Sequence, residues 1–191
     1  AGTGNLSAEI LKLIPNKLIC IEKDKIFAKN LKTLFKNNNN LSVLNGDILK
    51  LSLKKIISEG TIIIGNLPYN ISTQILANLC LSKKIKFKKL ILMFQKEVAD
   101  RIIAKVDTKN YSRITILANW RFNIDKMFDI NPECFSPRPK IKSSILKFTP
   151  KENIFEIKYP KNLEKITKIF FGQRRKMVKK NFIRLFKNFD Y

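Results

Sequence analysis

The chain has 191 residues, 45% of them hydrophobic, with 38 Lys and Arg against 15 Asp and Glu for a formal net charge of +23. That length favours one α/β domain with a small appendage, and no apolar run reaches membrane-spanning length. With no histidine and three widely spaced cysteines (Cys20, Cys80, Cys134), the chain excludes His-based catalysis and argues against a disulfide framework or a zinc site; a reducing cytoplasm fits best.

The opening "AGTGNLS" is a Gly-x-Gly loop leading into a helix, a phosphate- or nucleotide-loop pattern that is weak alone. It lacks the basic and apolar regions of a secretory signal. "KLICIE" (17–22) reads as a strand. "KIFAKNLKTLFK" (25–36) carries a helical stripe at 26, 27, 31, 34 and 35. After the Asn run at 37–40, "LSVLN" (41–45) is a second strand and "LKKIISEG" (53–60) a short helix ended by Gly60. "TIIIG" (61–65) is a third strand, read as buried on both faces. "STQILANLCLSKK" (72–84) is a helix with Ser72 as N-cap. "KLILMFQ" (89–95) and "KEVADRIIAK" (96–105) follow as strand and helix. "FNIDKMFDI" (122–130) and "SSILKFT" (143–149) flank the proline-rich "NPECFSPRPK" as an antiparallel hairpin. Strands alternating with helices imply a mostly parallel, doubly wound sheet.

The character changes after Pro150. Residues 151–191 carry 12 basic and 4 acidic side chains, about twice the net charge density of residues 1–150, and 163–186 reads as two basic amphipathic helices broken near Gly172. The expected organisation is therefore a main domain at 1–150 and a basic helical domain at 151–191. Codon bias toward Ile, Asn and Lys explains why Lys outnumbers Arg, but not the shortage of acids. A field this positive favours a polyanion.

Two acids carry chemistry beside the glycine loop. Glu22 ends the first strand, twenty residues after Gly2, the spacing at which an acid takes ribose hydroxyls. Asp47 ends the second strand, where it can accept from an exocyclic amine on adenine while Ile48 packs on the ring. A solvated Glu beside Lys23 and a turn or N-cap Asp are the plain alternatives. "GNLPY" at the end of the third strand suits methylation of an exocyclic amine, whose lone pair is delocalised into the base. The Asn66 side-chain oxygen and the carbonyl of Leu67 or Pro68 would accept its hydrogens and localise the pair. Pro68 stiffens the loop, and Tyr69 offers a face for the base. A sulfonium methyl is already activated, so no strong base is needed.

"GNLPYNIST" resembles motif IV of the ribosomal RNA adenine dimethyltransferases, the kasugamycin-sensitivity family. "LMFQKEVADRI" (92–102), "YSRITILANW" (111–120), "FSPRPKIKSSILKF" (135–148) and "GQRRK" (172–176) resemble its further blocks in order. The resemblance implies a Rossmann-like, S-adenosyl-L-methionine-dependent methyltransferase sheet with a small C-terminal helical domain. It also implies dimethylation of two adjacent adenosines near the 3′ end of small-subunit rRNA, no metal, and a monomeric cytoplasmic protein acting on the immature small subunit. Gly2, Gly4, Glu22, Asp47, Ile48 and Asn66 would hold the donor. Asn66, Leu67, Pro68 and Tyr69 would form the catalytic loop, with Phe135 stacking opposite Tyr69. Arg138, Lys140, Arg174, Arg175 and Lys176 would contact RNA. The large-subunit resistance methyltransferases and a non-catalytic assembly factor are the competing readings.

In the family a strand ending in an acid and a Gly precedes the residues matching "AGTG", and an N-terminal segment precedes that strand. The expectation is that the 191 residues are a fragment of a longer chain. The strands at 17–22 and 61–65 would then keep unpaired edges, and the helical domain would be incomplete.

Overall fold

In the computed structural model, residues 1–82, 85–172 and 178–186 are described. They contain two compact units, Ala1–Ile56 and Ile57–Tyr191. In the first, helix α1 (Asn5–Leu11) precedes strand β1 (Leu18–Glu22), helix α2 (Lys25–Leu34) and strand β2 (Leu41–Asn45). β1 and β2 are parallel, in register from Leu18 opposite Leu41 to Glu22 opposite Asn45. Asp24 starts α2 by accepting from the N–H groups of Ile26 and Phe27 at 2.7 and 3.1 Å, satisfying two donors that the first helical turn leaves unpaired. The predicted apolar stripe of this helix buries Ala28, Leu31 and the following Phe35. Gly4 fits against that stripe at φ +93°, where a Cβ would stand 2.9 Å from Leu31 Cδ2.

The second unit holds strands β3 (Ile62–Asn66), β4 (Lys89–Gln95), β5 (Phe122–Ile130) and β6 (Ser143–Pro150). Their spatial order is β3-β4-β6-β5. β3 and β4 are parallel; β6 runs antiparallel to both β4 and β5. The terminal hairpin read from the sequence is therefore present, and β6 inserts between its own partner and the parallel pair. Helices α3 (Tyr69–Leu81), α4 (Lys96–Ile102), α5 (Arg113–Arg121), α6 (Pro160–Gly172) and α7 (Val178–Phe186) complete the unit. Phe94, Phe122, Phe148, Leu90, Leu92 and Leu146 are fully buried at its centre, joined by Leu76 and Leu79 of α3, Ile102 of α4 and Leu117 of α5. Phe148 meets Phe122 and Phe94 edge-on, with centroids 5.7 and 6.1 Å apart.

The α/β class and the order of strands and helices agree with the sequence reading, with four local corrections. Residues 53–60 form only a short 3₁₀ turn at Leu53–Lys55. α3 begins at Tyr69 with Pro68 at its cap, so Ser72 is not the N-cap: it is buried in the first turn and donates to the Tyr69 carbonyl at 3.1 Å. Proline's fixed φ, here −56°, lets the helix start directly from the loop. α5 had no sequence prediction; Ser112 N–H donates to Thr115 Oγ1 at 2.9 Å across its first turn. The Ile run is not buried on both faces: Ile62 and Ile64, on the same face as Asn66, are 46% and 40% exposed, while Ile63 on the opposite face is half-buried. Among the described residues β1 pairs only with β2 and β3 only with β4, so each keeps one edge without a strand.

Gly4→Ala is expected to weaken the packing of α1 on α2 by about 1–3 kcal/mol, because a side chain would be forced into the left-handed region against Leu31. Amide hydrogen exchange in α1 and α2 measures it; unchanged exchange would show that the site absorbs the methyl group.

Candidate active site

In the first unit both acids sit where parallel strands deliver them, at the carboxyl ends of β1 and β2. Glu22 Oε2 accepts from the Gly2 N–H at 2.8 Å and pairs with the Ala1 ammonium at 2.7 Å, while Oε1 accepts from the Asp24 N–H at 2.9 Å. The carboxylate thus holds the glycine loop to the strand end. Gly2 has φ +57°, and nothing lies within 4 Å of where its Cβ would be. The backbone there is open to close approach. Asp47 adopts the turn role given as its alternative: Oδ1 accepts from the Leu49 N–H at 3.0 Å, and Oδ2 pairs with Lys23 at 3.1 Å. The Leu49 and Lys23 bonds lower its pKa. Ile48 is half-buried beside it.

In the second unit, β3 ends at Asn66 opposite Met93 of β4. Asn66 is exposed, and among the described residues no hydrogen bond holds its amide. Gly65 lets Leu67 fold back on the strand: a Cβ there would come 2.8 Å from Leu67 Cδ2 and 3.0 Å from Leu92 Cδ2. Pro68 is exposed and Tyr69 half-buried. The chain then enters α3.

The Phe135 loop opens at the same sheet edge. Its outgoing limb ends β5 at Ile130, its return limb starts β6 at Ser143, and Ser143 is the register partner of both Ile130 and Gln95 at the end of β4. Phe135 is half-buried at the end of a 3₁₀ turn, Pro132–Cys134, and donates to the Pro132 carbonyl at 3.2 Å. The Ser136–Pro137 bond is cis. The elements that follow the two loops meet at their first residues: Tyr69 Oη, at the start of α3, lies 2.7 Å from Ser143 Oγ, at the start of β6. Arg138, expected on RNA, pairs with Glu133 within the loop, and Lys140 is exposed. Arg174, Arg175 and Lys176 lie outside the described residues.

A polar group that the sequence reading missed stands at the mouth of the hairpin. Ser144 Oγ donates to Asp129 Oδ1 at 2.6 Å, Lys126 Nζ approaches the same oxygen at 2.8 Å, and Lys96 Nζ lies 3.8 Å from Oδ2. The Lys126 and Ser144 bonds lower the Asp129 pKa to about 2. The available signal was "SS", two small polar residues leading into the apolar run "ILKF". Cys20 and Cys80 are buried free thiols, and Cys134 is exposed. Among the described residues no three His, Cys, Asp or Glu side chains group as metal ligands, and no helix is long and apolar enough to cross a membrane.

A sequence profile of the family "Ribosomal RNA adenine dimethylase" matches residues 1–190. The chain is 53% identical over 189 residues to the ribosomal RNA small subunit methyltransferase A of Pelagibacter ubique, covering 98% of this chain and 71% of that protein. It is 41% identical over 192 residues to the protein of the same name from Neorickettsia sennetsu, again covering 98% and 71%. Among solved structures, a dimethyladenosine transferase from Plasmodium falciparum superposes with TM-score 0.78 at 34% identity, covering 94% of this chain and 64% of that one. The 23S rRNA methyltransferase ErmE superposes with TM-score 0.68 at 22% identity, over 96% and 72% of the two chains, which shows a shared Rossmann-like fold.

Burial pushes the Glu22 pKa up, but the Ala1 ammonium and the Gly2 and Asp24 N–H groups outweigh it and lower the pKa from 4.5 to about 2. A pKa depressed by folding contributes stability that is present above the ordinary value and lost as pH falls toward the folded one. In the 191-residue chain with its free Ala1 ammonium, the stability of the first unit should therefore be level above about pH 5 and fall from about pH 4.5 down to 2. Circular dichroism at stepped pH checks this; Glu22→Gln should reduce the slope to the part that Asp47 contributes, and a mutant slope equal to wild type would refute it.

Proposed function

The chain belongs to the ribosomal RNA adenine dimethylase family, and from that premise we propose that it transfers methyl groups from S-adenosyl-L-methionine to the exocyclic nitrogens of two adjacent adenosines near the 3′ end of small-subunit rRNA, during ribosome assembly. The observation that supports this reading is that the Asn66–Tyr69 turn and the Phe135 loop lie at the same end of the sheet, with Tyr69 bonded to Ser143 where the chain returns from that loop.

The first unit suits a nucleoside-bearing donor. The open backbone at Gly2 admits close approach, Gly4 sets the turn into α1, Glu22 offers acceptors for ribose hydroxyls, and Asp47 and Ile48 offer an acceptor and an apolar face for adenine. When bound, the donor supplies an activated sulfonium methyl group, so the reaction requires neither a metal nor a strong base.

The second unit supplies what the amine lacks. An adenine N6 lone pair is conjugated with the ring and attacks poorly. Hydrogen bonds from its two N–H groups to the Asn66 Oδ1 and the Leu67 or Pro68 carbonyl draw the nitrogen toward a tetrahedral shape and localise the pair. These acceptors gain strength as positive charge develops on nitrogen, so they favour the transition state over the ground state. Pro68 keeps the carbonyls pre-aimed, and Tyr69 and Phe135 hold the base flat between their faces. The attacking nitrogen would take the methyl group as its bond to the donor's sulfur breaks, the bonding pair staying on sulfur to leave a neutral thioether, and the nitrogen then sheds a proton to solvent. One remaining N–H permits the second transfer.

Arg138, Lys140, Arg174, Arg175 and Lys176 contact RNA phosphates, which fix register without reading sequence. Arg138 would exchange Glu133 for phosphate. The protein acts as a cytoplasmic monomer on the immature small subunit.

In the complete protein, Asn66→Ala is expected to abolish methyl transfer to undermethylated small subunits while leaving RNA affinity within about twofold, because most of that affinity comes from cations on phosphate rather than from one amide on a base. Labelled-methyl incorporation and filter binding measure the two; normal turnover would end the acceptor role. Incorporation into large-subunit rRNA instead would favour the resistance-type reading, and failure to bind the donor by calorimetry would favour a non-catalytic assembly factor. Charge reversal at Arg174 and Arg175 should weaken RNA binding and lower the slope of log affinity against log salt by about 0.7–0.9 for each phosphate no longer neutralised. An unchanged slope would remove the tail from the RNA-contacting surface.

A further inference from the structure

Both limbs of the Phe135 loop are anchored within one or two residues of its mouth. On the return limb, Ser143 and Ser144 are fully buried. Ser144 holds Asp129 across the hairpin at 2.6 Å, and the Lys96 N–H donates to the Lys142 carbonyl at 2.9 Å. Asp129 in turn takes Lys126 at 2.8 Å, so the outgoing limb is pinned at the same level. These bonds stay among β4, α4 and the hairpin. Ser143 differs: its Oγ reaches Tyr69, 74 residues earlier in the chain, at the start of α3.

A buried hydroxyl costs free energy unless it is hydrogen-bonded, and an alanine or valine would extend the apolar β6 run without that cost. The bond has a mechanical consequence. Tyr69 Cβ is carried by the first turn of α3, and Oη is tethered to β6. With both ends of the ring's long axis held, swinging about χ1 to another rotamer breaks the bond. The phenol hydroxyl is also occupied, which leaves Tyr69 to act through its face.

Resting on the reading of Asn66–Tyr69 and Phe135 as the base pocket, we propose that Ser143 is a positioning residue for methyl transfer: its hydroxyl ties the Tyr69 ring to the return limb of the Phe135 loop, so that the two aromatic walls keep a constant gap for one purine. Ser143 touches neither donor nor base. It acts through Tyr69, and its removal changes how often the amine is presented in line rather than how tightly the donor binds. Small misplacements of a reacting group can cost up to about 10²-fold in rate, whereas a single neutral hydrogen bond is worth about 0.5–1.5 kcal/mol. A fall of about tenfold in kcat lies between these bounds.

The test uses the complete protein with undermethylated small subunits and labelled donor. Ser143→Ala, Tyr69→Phe, the double mutant and Ser143→Thr are compared with wild type for kcat and for the KM of the donor. Tyr69→Phe keeps the ring and removes only the hydroxyl, so it tests the tie even if Ser143→Ala folds poorly. The expected result is a fall of about tenfold in kcat for either single mutant, no further fall in the double, donor KM within about twofold of wild type, and recovery in Ser143→Thr. Wild-type kcat in Tyr69→Phe, multiplicative losses in the double mutant, or a threonine variant no better than alanine would each overturn the proposal. Asn66→Ala run in parallel separates the two levels. If it is inactive while the hydroxyl mutants are normal, only the tie fails; if it is fully active, the pocket reading fails.

Discussion

One strand reversal organises the second unit. β3 and β4 are parallel, so both release the chain at the same edge of the sheet. β6 is antiparallel to β4, so the loop that feeds it must arrive at that edge too. A parallel β6 would have sent residues 131–142 to the opposite edge, far from the end of β3. Strand direction thus places Asn66–Tyr69 and the Phe135 loop at the same end of the sheet before any side chain takes part; the Tyr69–Ser143 bond then links α3 to β6, and the Asp129–Ser144 bond closes the hairpin.

The stiffness of that edge has several sources. Pro68 fixes the exit from β3 and starts α3 without a side-chain cap. Gly65 leaves room for Leu67 to turn back against Leu92. Behind them the Phe94–Phe148–Phe122 cluster holds β4, β5 and β6 in one packed layer. Polar groups placed on so rigid a frame need little reorganisation as charge develops, which is the condition under which such acceptors accelerate a reaction most. The first unit uses the simpler βαβ device: two acids at adjacent parallel strand ends, one of them fastening a glycine loop by backbone hydrogen bonds.

Much of this was legible in order along the chain. The period-3.6 stripe at 26, 27, 31, 34 and 35 announced α2, and the apolar runs at 17–22, 41–45, 61–65 and 89–95 fell on β1 to β4. Asn66, Pro68 and Tyr69 stood out because such polar, rigid residues rarely interrupt an apolar run without cause. α5 escaped notice because its buried residues Thr115, Leu117 and Ala118 are too small and mixed to draw a stripe. Ser72 looked like a cap because capping residues and buried small polar residues share one alphabet, and only the path of the backbone separates them. Ile62 and Ile64 looked buried because an unbroken apolar run carries no sign of which strand face is left uncovered.

By itself the sequence determined the types of most elements, though not of α5 or of residues 53–60, together with the acids at the ends of β1 and β2 and the rigid polar turn after β3, because these depend on local periodicity and on residues with narrow backbone preferences. Tertiary structure alone decided that β6 would slip between β4 and β5, that β3 would lie at an edge, and that a serine at position 143 would meet a tyrosine at 69. Pairing partners and bonds across 74 residues come from how strands order themselves in a sheet, and that ordering leaves no periodic trace along the chain.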